Sequence, residues 1–390
     1  MVEELLTLKE RDWRWEKTRK AMKEQGLDCL VIYGSNAAFG TMLNDLRYLA
    51  AISDIGYLVF PLEGEPTTFT FEQGLPGAWV KDNRVGHPKY STLISERLRE
   101  LHLESARIGV SAISGYLAEW AFPYAALKIL EGNFPKASFV DATELMEGVR
   151  RVKSDVEVKI LELACDAGMK VTQTVLETAR AGVKTDEVKL KIMNTSFMAG
   201  CEPDFMLFLY ANTEGVHAAQ GGWSQPPSNQ VLKTGEVILM EYDAKYLGYI
   251  AQFNQCFAVG EPSKEWKEVY NAAAESFERG VEVLKPGLTI GELDEVFLTS
   301  IKNAGYVVLN PAFHCLGIGM EMPMGFYLAQ QATYTVPKDF IIEAGMVFEF
   351  EPHAVSPDFK RGIHIGVPVL VTDTGCRLLA KNWKPEFPVV

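Results

Sequence analysis

Acidic side chains spaced two apart inside apolar runs are what most restricts the ways this chain can fold. Residues two apart on a strand point to the same face. On that rule Glu241 and Asp243 share a face just after the apolar strand Val237-Ile238-Leu239-Met240, and Gln252 and Asn254 share one within Tyr249 to Phe257. Glu349 and Glu351 share another in the stretch from Gly345 to Pro352, and His364 and Gly366 a fourth between Gly362 and Gly366. A carboxylate is expensive to bury unless something compensates it. Either these faces are solvated, or they meet around a compensating group. Histidine placement sharpens the question: His87 and His102 fall in the first half, whereas His217, His314, His353 and His364 fall in the strand-rich second half. One histidine on an apolar strand is usually a satisfied structural residue; four of them among acids make proton chemistry a candidate.

The 390 residues predict two or three domains at about 150 residues each. Hydrophobic residues at 47% and charged residues at 23% exclude long disorder and fibrous architecture. A formal charge of −13, spread along the chain, argues against nucleic acid and anionic membrane surfaces as partners. No apolar run approaches the roughly 18 residues that span a bilayer. Met1-Val2-Glu3-Glu4 opens with acids where a secretory signal carries bases, so a cytoplasmic protein is expected. The six cysteines form no CxxC pair, which suggests neither a disulfide framework nor a zinc ribbon. Most are expected as small buried hydrophobes; Cys315, beside a histidine and a Gly-x-Gly, is the one candidate for thiolate chemistry.

Periodicity predicts an α/β domain over residues 1–145. Its signals are a helix from Glu16 to Gln25 ended by Gly26, strands at Cys29–Tyr33, Tyr57–Phe60, Thr67–Thr70 and Arg107–Val110, and a helix ending near Leu103. A polar stretch around Glu147 to Ser154 marks the boundary, and a second domain is expected over 150–390. That domain opens with a long helix from Val156 to about Ala181, closed by Gly182. Thr185 is expected as the N-cap of the next helix, with Asp186 and Glu187 in its first turn and Val188 where a capping box would have an acid. From about Phe205 strands dominate, interrupted by one helical region, Trp266 to Leu284, which Lys285-Pro286-Gly287 ends.

Several short motifs in this order carry a resemblance: Arg151-Val152-Lys153-Ser154, Asn212-Thr213-Glu214-Gly215-Val216-His217, Leu232 to Ile238, Gly248-Tyr249, Lys285-Pro286-Gly287, Gly345-Met346-Val347-Phe348 with Glu351-Pro352, and Val369-Leu370-Val371-Thr372 with Gly375. The second half resembles the pita-bread fold of the Xaa-Pro peptidases, methionine aminopeptidases and creatinases, and the two-domain layout resembles prolidase and creatinase. The resemblance implies an α/β N-terminal domain followed by an α+β pita-bread catalytic domain. Metallopeptidases of this kind hold two divalent metals with Asp, Asp, His, Glu and Glu. Those positions fall on Glu241, Gln252, His314, Glu351 and Gly366, so one acid is an amide and another has no side chain. A two-metal site is expected to be lost; a single metal on Glu241, His314, Glu351 and either His364 or Glu349 is the weaker expectation. The family's proton-handling histidine falls on His217, and its other active-site histidine on Glu321.

Creatinase resembles this condition, being the metal-free branch of the fold. The implied activity is a metal-independent hydrolase, without cofactor, of a small cationic C–N compound, creatinase-like or ectoine-hydrolase-like. His217 would be the acid/base and Glu351 and His314 would act with it. Glu241, Asp243, Gln252, Asn254, Glu321, Glu349 and His364 would line the substrate pocket. An Xaa-Pro dipeptidase-like metallopeptidase with a rearranged metal site is the alternative; a lyase on a charged small molecule and a non-catalytic binding protein are others. Relatives of this length form homodimers, which is the expectation here, with Trp223 a candidate for a loop that covers the pocket.

Overall fold

The computed structural model describes residues 5–34, 44–52, 55–71, 79–114, 122–202, 207–212, 229–309, 311–325 and 337–390. Two compact units divide between Arg151 and Val152. The first is built on a six-stranded sheet of β1 (Cys29–Gly34), β2 (Gly56–Pro61), β3 (Thr67–Thr70), β4 (Asp82–Val85), β5 (Arg107–Val110) and β6 (Ser138–Asp141). Its order is β4-β3-β2-β1-β5-β6, with β1 antiparallel to β2 and parallel to β5. The central strand β1 is apolar and almost wholly buried, as a strand covered on both faces requires. The helices of this unit among the described residues are α1 (Leu8–Glu24), α2 (Asn44–Ala50), α3 (Tyr90–Glu100), α4 (Tyr124–Asn133) and α5 (Thr143–Arg151).

Helix α1 starts two turns before the expected Glu16. The hydroxyl of Thr7 caps it by accepting from the Glu10 N–H at 3.3 Å. The early turns bury an ion pair, Arg14 Nε to Glu10 Oε1 at 2.9 Å, where a periodicity search looks for apolar residues. The polar stretch after Met146 is likewise helical: α5 carries it, burying Leu145, Met146 and Val149, and Arg150 meets Asp45 at 2.8 Å.

The second unit opens with α6 (Asp155–Thr178), held by a reciprocal capping box. Ser154 Oγ accepts from the Glu157 N–H, and Glu157 accepts from the Ser154 N–H. Helix α7 (Thr185–Met198) follows. Thr185 is not its cap: Lys184 occupies that place, and the Thr185 hydroxyl accepts instead from the Gln230 N–H at 3.1 Å. Strands β7 (Leu207–Asn212), β8 (Val237–Tyr246) and β9 (Tyr249–Ala258) form one antiparallel sheet. Helices α8 (Lys264–Val283) and α9 (Ile290–Asn303) come next, so among the described residues two helices interrupt the strands rather than one. The second has its own capping box, Thr289 with Glu292, and buries Ile290, Leu293, Phe297 and Ile301 at helical spacing.

A five-stranded sheet contains β10 (Phe313–Leu316), β11 (Met320–Met324), β12 (Val347–Phe350), β15 (Val367–Val371) and β16 (Cys376–Leu378), in the order β11-β10-β12-β15-β16. The short strands β13 (His353–Val355) and β14 (Gly362–His364) pair with each other.

Alternation along these strands explains how the site is placed. On the three-stranded sheet, Phe253 of β9 packs so close to α6 that a Cβ on Gly168 would sit 2.0 Å from its ring. Tyr242 of β8 donates from its hydroxyl to Ser196 of α7 at 2.7 Å. Their neighbours Glu241, Asp243, Gln252 and Asn254 therefore point the other way. On the five-stranded sheet, Phe313 and Phe350 pack on Phe297 of α9, with ring centroids 5.8 and 4.9 Å from it. His314 and Glu349, paired across β10 and β12, therefore face away from that helix.

Candidate active site

The backbone brings the two polar faces together. Asn254 of β9 and Gly366 exchange both main-chain hydrogen bonds, Gly366 N–H to Asn254 O at 2.7 Å and Asn254 N–H to Gly366 O at 3.1 Å. Around this bridge lie Glu241, Asp243, Gln252, Asn254, His314, Glu349, Glu351, His353 and His364, none more than 6% exposed. The polar faces are therefore buried, and solvation does not account for them. Glu241 and Asp243 do not follow the apolar strand, as the sequence suggests; they lie inside β8, which continues to Tyr246.

The groups form a connected network. Gln252 Nε2 donates to Glu241 Oε1 at 2.7 Å, and Gln252 Oε1 lies 2.9 Å from His314 Nε2. His314 Nδ1 lies 2.9 Å from the Cys315 carbonyl. Glu351 is the other centre. Its Oε2 accepts from Asn254 Nδ2 at 3.0 Å and stands 3.3 Å from His364 Nε2, and its Oε1 is 3.6 Å from His314 Nε2. Glu241 Oε2, Asp243 Oδ1 and Asn254 Oδ1 have no hydrogen-bond partner among the described residues. Neither oxygen of Glu349 makes a well-formed hydrogen bond there, although the Asn254 amide is near enough to oppose the rise of its pKa.

Four buried carboxyl groups in one place raise each other's proton affinity. Burial first, and Glu351 second, push Glu241 and Glu349 well above the usual carboxylate range. Burial and Glu351 push Asp243 up to about 7, with Lys245 opposing. Burial holds Glu351 up to about 7 against the pull of His314 and Asn254. Burial pushes His364 down to about 4, opposed by a hydrogen bond to the Glu351 main chain.

Of the residues the sequence singles out, Glu241, Asp243, Gln252, Asn254, His314, Glu349, Glu351 and His364 lie in this group. Glu321 is engaged elsewhere: its carboxylate pairs with Lys153 Nζ at 2.7 Å, both side chains buried, and across the ladder it stands opposite Cys315 rather than His314. Cys315 is fully buried, which leaves its thiol remote from solvent reagents. His217 and Trp223 lie outside the described residues. Sequence reasoning leaves two members out of the site. His353 faces His364 across β13 and β14, and the buried Lys245 continues the row of Glu241 and Asp243 along β8. Period-two spacing from Asp243 and from Glu351 was the signal that could have found both.

The side chains present do not fit a two-metal centre. The Gln252 amide spans Glu241 and His314 through hydrogen bonds, so three of the five positions are already tied together without an ion. At Gly366 a Cβ would stand 1.7 Å from the Phe350 carbonyl oxygen, so this backbone has no room for any side chain, a carboxylate included. Among the described residues no group of three or more His, Cys, Asp or Glu side chains is arranged to hold a metal. No helix among them is long and apolar enough to cross a membrane.

Comparison with known proteins agrees with this architecture. Residues 14–152 match the creatinase/prolidase N-terminal domain, and residues 159–373 match metallopeptidase family M24. An Xaa-Pro dipeptidase from Pyrococcus horikoshii is 27% identical over 270 residues, 68% of this chain and 72% of that protein. The structure of an Xaa-Pro dipeptidase from Bacillus anthracis superposes with a TM-score of 0.78 at 24% identity, covering 97% of this chain and 100% of the other. A prolidase from Thermococcus sibiricus superposes with a TM-score of 0.80 at 20% identity, covering 97% and 98%. The chain belongs to metallopeptidase family M24, hydrolases of C–N bonds, and carries a creatinase/prolidase N-terminal domain ahead of the family domain.

Proposed function

We propose that this protein is a metal-independent hydrolase of a small, positively charged C–N compound, of the creatinase-like or ectoine-hydrolase-like kind. One observation carries the reading: an amide and a side-chain-free glycine stand where two metal-binding acids would be, while Glu241, Asp243, Glu349 and Glu351 remain buried together. Acids buried together either hold protons or meet positive charge, and a cationic ligand would supply that charge.

In this mechanism the acids bind the cationic part of the substrate, and Glu351, held by Asn254 and flanked by His364 and His314, stabilises positive charge that grows during reaction. Gln252 orients Glu241 and His314. His217, assigned by the resemblance, takes a proton from water as the oxygen adds to the substrate carbon. It then returns that proton to the leaving nitrogen as the C–N bond breaks. The products together exceed the substrate by one water in mass, which separates hydrolysis from elimination by a lyase.

A second reading, an Xaa-Pro dipeptidase-like metallopeptidase with a rearranged site, is favoured by the named relatives at 27% identity. The two separate on protein purified without chelator. The first expects substoichiometric Mn, Co, Zn and Fe, and turnover of amidine or guanidino compounds that EDTA leaves untouched. Stoichiometric metal together with EDTA-sensitive cleavage of Xaa-Pro dipeptides would overturn it.

A further inference from the structure

We propose that His353 is a positioning residue: its imidazole packs, tilted, against His364 and limits the plane in which His364 turns Nε2 toward Glu351. The two histidines are direct partners across β13 and β14, and their ring centroids lie 5.1 Å apart with 36° between the planes. His353 is completely buried. The next pair of the ladder, Ala354 with Ile363, belongs to the apolar cluster that includes Trp266, Val308 and Ile365. By alternation the histidine pair therefore turns away from that cluster, toward Glu351.

A histidine needs such a neighbour because rotation about its last side-chain bond has no sharp staggered wells. His364 Nε2 stands 3.3 Å from Glu351 Oε2, a separation at which a turn of the ring makes or loses the contact. A flat ring packed against it limits that turn. Glu351 is held by Asn254 on the same oxygen, and His364 Nε2 stands near it without a formed hydrogen bond, so the orientation of the ring decides whether that contact can close.

The ring geometry stands independently of the reaction; its consequence for turnover rests on the proposed hydrolase reading. The test uses full-length protein with 15N-labelled histidine, His364 being assigned by the loss of its signals in His364→Gln. In the wild type, His364 is expected in a single tautomer, with cross-relaxation between the two imidazoles. His353→Phe keeps a flat ring and is expected to leave the His364 nitrogen shifts in place. His353→Leu keeps bulk without a flat ring and is expected to broaden or mix them. Once a substrate is in hand, the Leu variant should lose roughly tenfold or more in kcat at unchanged KM, and the Phe variant no more than about threefold. Should the variants fail to fold, the wild-type spectrum still decides, since mixed tautomers or absent cross-relaxation overturn the proposal. So does a Leu variant with unchanged His364 signals, or a Phe variant as disturbed as Leu. Intact ring signatures in a protein that proves to be a metal-dependent peptidase would refute the hydrolase reading and leave the positioning role standing.

Discussion

Adding one methyl group at Gly366 should disturb this protein far more than a surface change, because of what it would meet. A Cβ there lies 1.7 Å from the Phe350 carbonyl oxygen, 2.7 Å from its carbon and 2.9 Å from the Glu351 Cα. An unstrained carbon–oxygen approach is about 3.3 Å, so the backbone must open by roughly 1.6 Å. All three obstacles are main chain, and no rotamer change relieves them. Overpacking of this kind costs about 1–3 kcal/mol, and more when backbone has to move. The same opening pulls on both hydrogen bonds of the Asn254–Gly366 bridge, each worth about 0.5–1.5 kcal/mol. Together Gly366→Ala should destabilise by about 4 kcal/mol, which for a unit of this size lowers Tm by roughly 8–16 °C. Scanning calorimetry reads the shift. Gly375→Ala is the control: its Cβ would meet nothing within 4 Å, and the change should stay within about 0.5 kcal/mol. Gly366→Glu should be no more stable and should bind no added Mn. A Gly366→Ala protein as stable as the wild type would refute the reasoning, since room for a side chain would then exist where we find none.

Three other expectations follow from the site and its surroundings. His217→Ala should abolish turnover and leave the melting curve in place; retained activity removes His217 from the mechanism. Asp243, raised to about 7, holds a proton in the fold that the unfolded chain releases near pH 4. Its stabilisation is therefore complete below about pH 4 and is lost as the pH rises through about 7. His364, lowered to about 4, has the opposite sign: its contribution is present above about 6.5 and is lost as the pH falls toward 4. Asp243→Asn should accordingly shrink the stability lost between pH 5 and pH 7.5 in denaturant titrations; an unchanged difference counts against the buried-acid argument. Finally, Lys153→Ala removes the buried cation that pairs with Glu321 at 2.7 Å, so a loss of about 3–5 kcal/mol is expected in chemical unfolding. A loss under about 1 kcal/mol would mean that the pair is not buried as described.

How much of this was legible in the sequence depended on distance along the chain. Period-two spacing is a local property of extended backbone, so the shared faces of Glu241 with Asp243 and of Gln252 with Asn254 can be read without a structure. The register that sets Glu241 opposite Asn254, and the hydrogen bond that carries Gln252 diagonally to Glu241, cannot. His353 shows the division: its spacing of two from Glu351 is legible, but its place against His364 depends on the pairing of β13 with β14. The Lys153–Glu321 pair spans 168 positions and leaves no local trace. Helix α9 is a different case, since Thr289 and Glu292 spell its capping box openly, but the breaker Lys285-Pro286-Gly287 just before it reads as the end of helical structure. The start of α1 hid behind a buried ion pair that a search for apolar periodicity passes over.

Gly168 gives the site a remote control. Its missing side chain lets the Phe253 ring lie against α6, and Phe253 sits between Gln252 and Asn254 in the chain. Bulk added on the helix therefore acts as a wedge driven from behind, pressing the strand forward and carrying both amides with it. On the proposed reading of Gln252 and Asn254 as pocket residues, ligand preference would be retuned from a residue that never meets the ligand, and a search for altered specificity that samples only the pocket wall would overlook it.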